Sequence, residues 1–236
     1  MKVFVLGRPG SGKSTAARHM NYLFTQSGWR VRHINDYEIL REMFLADKQH
    51  IQFRATEHNG FDAIDLTVMD SALREVEERA KRLLEVNAVT IEFARNDYRK
   101  ALKQFTPAFL KDAYFLFLDA DIETCLRRVH ERVEHATSID DHPSFSDTIF
   151  KEYYARENRE YMAHCLQREA GLSRKVKVIN NISTFGNFMA RVEKCAAEIL
   201  KEEAWQRQQI SLQKKRVAEK RVAEKCVSVK RIPAYI

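Results

Sequence analysis

The sequence predicts an α/β fold in three layers, with a five-stranded parallel sheet between helices. Two observations carry this reading. Short, apolar, β-prone runs alternate with helix-like segments over residues 1–200, the pattern of a sheet built through right-handed crossovers. The first run leads straight into Gly7-Arg8-Pro9-Gly10-Ser11-Gly12-Lys13-Ser14, which fits G-x-x-x-x-G-K-[ST] at every fixed position.

In chain order, Lys2-Val3-Phe4-Val5-Leu6 reads as a buried strand and Thr15 to Phe24 as the helix after the glycine loop. That helix ends near Ser27-Gly28, and Val31 to Asn35 forms a short second strand. Tyr37 to Ala46 has helical spacing in Ile39, Leu40, Met43 and Phe44. Residues 47–61 are polar and read as a loop or broken helix. Asp62 to Val86 reads as one long amphipathic helix, with Leu66, Met69, Leu73, Val76, Ala80 and Leu83-Leu84 on one side. Ala88 to Phe93 is a third strand. Tyr114 to Leu118 is a fourth, wholly apolar as a strand covered on both faces must be. Ile122 to Val133 is helical, a polar stretch covers 134–147, and a further helix is expected at about 148–169. Lys175 to Ile179 is a fifth strand and Phe185 to Leu200 a closing helix.

The glycine loop defines the chemistry. Its glycines let several backbone N–H groups converge, and the helix start adds partial positive charge. Lys13 can then reach the β- and γ-phosphates of a nucleotide, and the Ser14 hydroxyl can ligate Mg²⁺. Gly7, Pro9, Gly10, Ser11, Gly12 and Thr15 complete the cradle. The motif alone specifies nucleotide binding and no reaction. In parallel sheets ligands sit beyond the carboxyl ends of the strands, so polar residues just after strand ends are the functional candidates.

Hydrophobic content of 44% is ample for a core. The net charge of +7 is unevenly placed: residues 201–236 hold ten Lys or Arg against four Glu, which leaves the rest nearly neutral. The basic character belongs to the tail and says little about the site. Cys125, Cys165, Cys195 and Cys226 are far apart and form no C-x-x-C, so neither a zinc cluster nor a disulfide framework is indicated. No segment reaches the apolar length of a membrane span or has a signal peptide's layout, and a soluble, cytoplasmic protein is expected.

The loop Gly-x-Pro-Gly-Ser-Gly-Lys-Ser-Thr at the end of the first strand resembles that of adenylate-kinase-type nucleoside and nucleotide kinases. Leu116 to Arg128 resembles the strand and helix leading into their LID segment. Val176 to Ile199, with Val178-Ile179-Asn180-Asn181, resembles their last strand and helix. The resemblance covers about residues 1–200. It implies a P-loop kinase fold with an acceptor-side region at about 36–86, a LID at about 127–147, and ATP and Mg²⁺ as cofactors. The loop after the last strand packs on adenine in those kinases, which implies that role for Asn180.

Thr90-Ile91-Glu92-Phe93-Ala94-Arg95 places an acid and an arginine at a strand end, as nucleoside kinases of this kind do. The resemblance implies that Glu92 serves Mg²⁺ or the acceptor hydroxyl and that Arg95 steadies the acceptor. Asp119 and Asp121 are rivals for the acid, and pairing of Glu92 with Arg95 alone is the plain alternative. Asp36 follows the second strand, where polynucleotide-kinase-like and zeta-toxin-like enzymes use an Asp to take the acceptor's proton and a nearby Arg, here Arg41, to hold its phosphate. Asp36 equally suits a helix N-cap. Arg127, Arg128 and Arg132 lie on the helix entering the LID, and Arg128 and Arg132 share a face. The resemblance implies that they close over ATP; a solvated basic face is the alternative. Arg54, His58 and Asp62 could select the acceptor, with exposed helix-start charges as the commoner explanation.

Residues 201–236 form a separate basic tail. Its Lys-Arg-Val-Ala-Glu repeat has a period of five, so Val217 and Val222 build no continuous apolar stripe. A solvated helix is expected, docking if at all by Trp205, Ile210 and Leu212, and contact with a nucleic acid or another anionic surface is left open. The reading is therefore ATP-dependent phosphoryl transfer to a small acceptor, a nucleoside or nucleotide. Its rivals are a kinase of polynucleotide 5′ ends or other hydroxyls, and an ATP-binding regulatory module with slow hydrolysis.

Overall fold

The computed structural model describes residues 1–56, 60–135 and 147–229. Five parallel strands form the sheet: β1 (Lys2–Gly7), β2 (Val31–Asn35), β5 (Ala88–Phe93), β6 (Tyr114–Asp119) and β7 (Lys177–Asn180). Their order is β2-β5-β1-β6-β7. After β1 the chain moves out to the edge at β2, returns through β5, and then continues on the other side of β1. The sheet order thus reverses beside β1, and the end of β1 opens onto the crevice that such a reversal leaves. The register aligns the strand ends there: Glu92 of β5 pairs with Val5 of β1 and Asn35 of β2, and Leu118 of β6 with Gly7.

Two more strands, β3 (Phe53–Ala55) and β4 (Phe61–Ala63), form a separate antiparallel pair. The helices are α1 (Lys13–Gln26), α2 (Asp36–Ala46), α3 (Thr67–Arg82), α4 (Tyr98–Ala101), α5 (Pro107–Leu110), α6 (Ile122–Glu134), α7 (Asp147–Tyr154), α8 (Leu166–Glu169) and α9 (Phe185–Val229). β1 and β5 are buried almost throughout, and Phe4 stacks on Phe115 with centroids 4.7 Å apart. Apolar side chains of α2, α3 and the short helices close the main core over these strands.

Four expectations are corrected. The described residues of 47–61 hold no broken helix, because Phe53 and Phe61 turn inward and join Phe44 in an aromatic cluster that favours the antiparallel pair β3–β4. The helix expected from Asp62 to Val86 runs only over Thr67–Arg82. Asp62 belongs to β4, Asp65 takes the Thr67 N–H at 2.9 Å, and Leu84 is exposed beyond the far end. The helix expected at about 148–169 is interrupted after Tyr154. The Arg8 guanidinium captures the carbonyls of Tyr154 (3.0 Å) and Arg156 (3.1 Å), and Asn158 is held by Asn96 and Tyr98. A π-helical turn, Tyr161–Cys165, then leads into α8. The fifth strand is shifted to Lys177–Asn180, and the short helices between residues 98 and 110 had no sequence expectation.

The chain divides into two compact units, Met1–Ala196 and Ala197–Ile236. Within the second unit Trp205, Ile210 and Leu212 are exposed on α9, so they bury no apolar face. No helix among the described residues is long and apolar enough to cross a membrane. The core of the expected LID, with Ser138, Asp140, Asp141 and His142, lies outside the described residues, as does His58.

Candidate active site

The glycine loop is held from three sides. Gly10 and Gly12 have φ of +78° and +97°. A Cβ on Gly10 would stand 2.2 Å from the Cys125 carbonyl oxygen of α6, and one on Gly12 2.7 Å from Asn181 Nδ2. Asn181 donates to Ser11 O at 2.8 Å, and Arg128 donates to Gly10 O (3.4 Å) and Asn181 O (3.1 Å). The buried Tyr98 hydroxyl accepts the Gly7 N–H at 2.8 Å. Arg8 ties the loop to Ala120 O and to the chain after α7. The loop is thus rigid before any ligand arrives.

Lys13 opens α1 and is buried, its Nζ donating to Arg8 O at 3.0 Å. Burial lowers its pKa from the ordinary lysine value, opposed by the Glu92 charge. Beside it, the Ser14 hydroxyl donates to Glu92 Oε1 at 2.6 Å. His33 Nε2 stands 3.4 Å from the other carboxylate oxygen. Burial pushes the Glu92 carboxyl up, but the nearby His33 imidazole, the Lys13 charge and the Ser14 hydrogen bond outweigh it and hold it below the usual value. Two hard oxygen donors, one of them an ionised buried carboxylate, are the donor set a Mg²⁺ takes alongside phosphate and water. Among the described residues no group of three His, Cys, Asp or Glu forms a protein-only metal cage.

Asp36 and Arg95, both buried, form an ion pair between the start of α2 and the chain just past β5. Arg95 also donates to Ala94 O (2.7 Å) and Met69 O (2.8 Å). Burial pushes the Asp36 carboxyl up, with the Arg95 charge opposing it.

One cavity of about 710 Å³ joins these groups. Pro9, Gly10, Gly12, Lys13, Ser14 and Thr15 line it, as do Asp36, Glu92, Arg95, Arg128 and Arg132. Gly7 and Ser11 are outside its lining. Several sequence expectations change. Asp36 is not the helix cap: Asn35 fills that role, accepting the Tyr37 N–H at 3.1 Å. Glu92 and Arg95 do not pair with each other, since each has a different partner, Ser14 for Glu92 and the buried Asp36 for Arg95. Asp119 is paired with Arg159, and Asp121 caps α6 through Thr124. Asn180 accepts from Ile182 N and lies off the cavity; its neighbour Asn181 lines it. Arg41 is half-buried on α2 and lies off the cavity too. Arg127 faces away, paired with Glu131. Arg8, His33, Asn181 and Tyr37 went unread. Arg8 sits at a variable position of the motif, and only its place between two strand ends reveals its role.

The loop, the sheet order and the buried charges define an α/β protein of the P-loop superfamily. The chain belongs to the AAA domain family, whose model matches residues 3–161. No curated protein sequence matches the chain. Among solved structures, Kti12 from Chaetomium thermophilum in complex with ADP-AlF3 is 16% identical, with 83% of this chain and 97% of that one covered and a TM-score of 0.51. That likeness shows the fold. The shikimate kinase from Acinetobacter baumannii in complex with shikimate is 15% identical over 85% and 93% of the two chains, TM-score 0.49. The APS kinase CysC from Mycobacterium tuberculosis, in complex with AMPPNP and APS, is 16% identical over 85% and 95%, TM-score 0.49.

Proposed function

We propose that this chain is an ATP-dependent kinase that transfers a phosphoryl group to a small acceptor, a nucleoside or nucleotide. One observation carries the reading: the glycine loop with Lys13 and the Ser14–Glu92 pair open onto the same cavity as the buried Asp36–Arg95 pair. A phosphate-binding end and a carboxylate at an acceptor end are what phosphoryl transfer requires.

The loop fits a nucleotide's phosphates, because its bare glycine positions leave backbone where side chains would clash. Ser14 and Glu92 would hold Mg²⁺, which when bound supplies charge against the phosphate oxygens. Lys13 adds a buried, little-hydrated cation at that end. Arg128 and Arg132 add charge from α6, with Arg128 anchored on the loop it serves. Asp36, oriented by Arg95, accepts the acceptor's hydroxyl proton, and burial, by raising its pKa, makes it a better base.

Purified full-length chain should be incubated with ATP and Mg²⁺ alongside nucleosides, nucleoside monophosphates and 5′-hydroxyl oligonucleotides. A phosphorylated small molecule, formed only with acceptor present, supports the proposal. Label on oligonucleotide ends would move the activity to polynucleotides. ADP released at one slow rate whatever the acceptor would make the chain a hydrolysing module instead.

A further inference from the structure

The two ends of the cavity differ in charge and in lining. At the loop end Lys13, Arg128 and Arg132 line the cavity with the acid Glu92, and Arg18 lies one helical turn beyond Ser14. At the other end every lining cation has an acid of its own. Arg95 has its charge paired with Asp36 and its two terminal nitrogens on the carbonyls of Ala94 and Met69, which leaves only its buried Nε without a hydrogen-bond partner among the described residues. Arg54 of β3 is paired with Asp62 of β4 at 3.3 Å. The segments 57–59 and 136–146 contain no Lys or Arg that could add a cation. A phosphorylated acceptor would bring about two negative charges to a region whose cations are already neutralised.

Asp62 points to what is bound instead. It lines the cavity and is only 8% exposed. Its Oδ2 takes Arg54, while its Oδ1 is buried with no hydrogen-bond partner among the described residues. A buried carboxylate oxygen left unpaired is costly, and a ligand hydroxyl or amino group would relieve it. The walls beside it are apolar. Tyr37 and Phe61 stack at 5.4 Å and 10°, and Ile64 and Leu66 line the cavity while 58% and 55% exposed. Such walls suit a flat ring.

We infer that the acceptor is an uncharged, ring-bearing compound with hydroxyl or amino donors, not a phosphorylated one, and that Asp62 is a specificity residue that takes one of those donors. This rests on the kinase reading above, and the test separates the two.

Adenosine, guanosine, cytidine and thymidine, each beside its 5′-monophosphate, should be titrated by calorimetry into full-length chain holding a non-hydrolysable ATP analogue and Mg²⁺. At least one nucleoside should bind tenfold or more tighter than its monophosphate. Asp62→Asn should weaken that nucleoside about tenfold and leave the affinity for the ATP analogue unchanged. Arg54→Gln, at a side chain 65% exposed and so safe for folding, should leave monophosphate binding unchanged. Tighter binding of the monophosphates, their loss in Arg54→Gln, or no binding by any pair overturns the inference. If the nucleosides bind as stated but ATP yields no phosphorylated product, the kinase reading fails and the binding inference stands.

Discussion

Asp36 and Arg95 are 59 residues apart and form a buried ion pair at the acceptor end of the cavity. The pair joins the first turn of α2 to the residues after β5, so a catalytic candidate is also part of the fold. Asp36→Asn should therefore do two things. Turnover should fall by about 10²–10⁴-fold, because the amide accepts no proton. Stability should fall by roughly 3 kcal/mol or more, because Arg95 is left as an uncompensated buried charge. Asn35→Ala, which removes the actual cap, should cost about 1 kcal/mol and spare turnover. Denaturant melts and single-turnover assays on the two variants check this. A stable, active Asp36→Asn protein would end the catalytic assignment.

Lys13→Ala should reduce phosphoryl transfer by about 10³-fold or more, since its charge serves the phosphates. The melting temperature should not fall. Lys13 is buried with its pKa lowered, so its charge is disfavoured by the fold, and only one hydrogen bond, to Arg8 O, is lost. Normal turnover in this variant would remove the loop from the reaction.

The depressed pKa of Glu92 gives a stability term with a definite sign. The unfolded chain binds the proton at the ordinary value of 4.5, before the folded chain does. The stabilisation is therefore complete above that value and is lost as pH falls through the folded pKa. Glu92→Gln carries no such term. Its stability gap to the parent chain should shrink between about pH 7 and about pH 3.5, measured by urea unfolding. A gap that widens on acidification would mean that Glu92 is neutral in the fold.

Gly10→Ala should destabilise the protein by roughly 3 kcal/mol or more, because both φ and the Cys125 carbonyl exclude a Cβ. Gly186→Ala on α9, where a Cβ meets open space, should be neutral or stabilise by about 0.5–1 kcal/mol. Denaturant unfolding of both variants distinguishes a fitted loop from a merely flexible one.

Deleting residues 206–236 should leave phosphoryl transfer within about twofold, because the cavity lining ends at Phe188 and the excess positive charge lies in the removed segment. Any affinity for RNA or anionic vesicles should disappear with it and weaken steeply with salt in the full chain. Loss of transfer or of solubility would show that the first unit needs this segment.

The strands of the sheet and the glycine loop were legible in the residues, because they depend on local signals. An apolar run with no polar interruption must be covered on both faces, and glycines before a Lys-Ser pair leave few other uses for the backbone. Glu92 was legible as an acid at a strand end. The identity of its partner was not, since nothing local distinguishes Arg95, three residues away, from Ser14, 78 residues away. Asp36 shows the same limit: as a cap or as a buried acid it has the same neighbours in sequence, and only the approach of β5 made it the latter. The antiparallel pair at Phe53 and Phe61, the break after Tyr154 caused by Arg8, and the burial of Asp62 each arise where distant segments meet. Long-range packing decides which polar groups lose water and which partner replaces it, and that choice set the charge balance of the cavity.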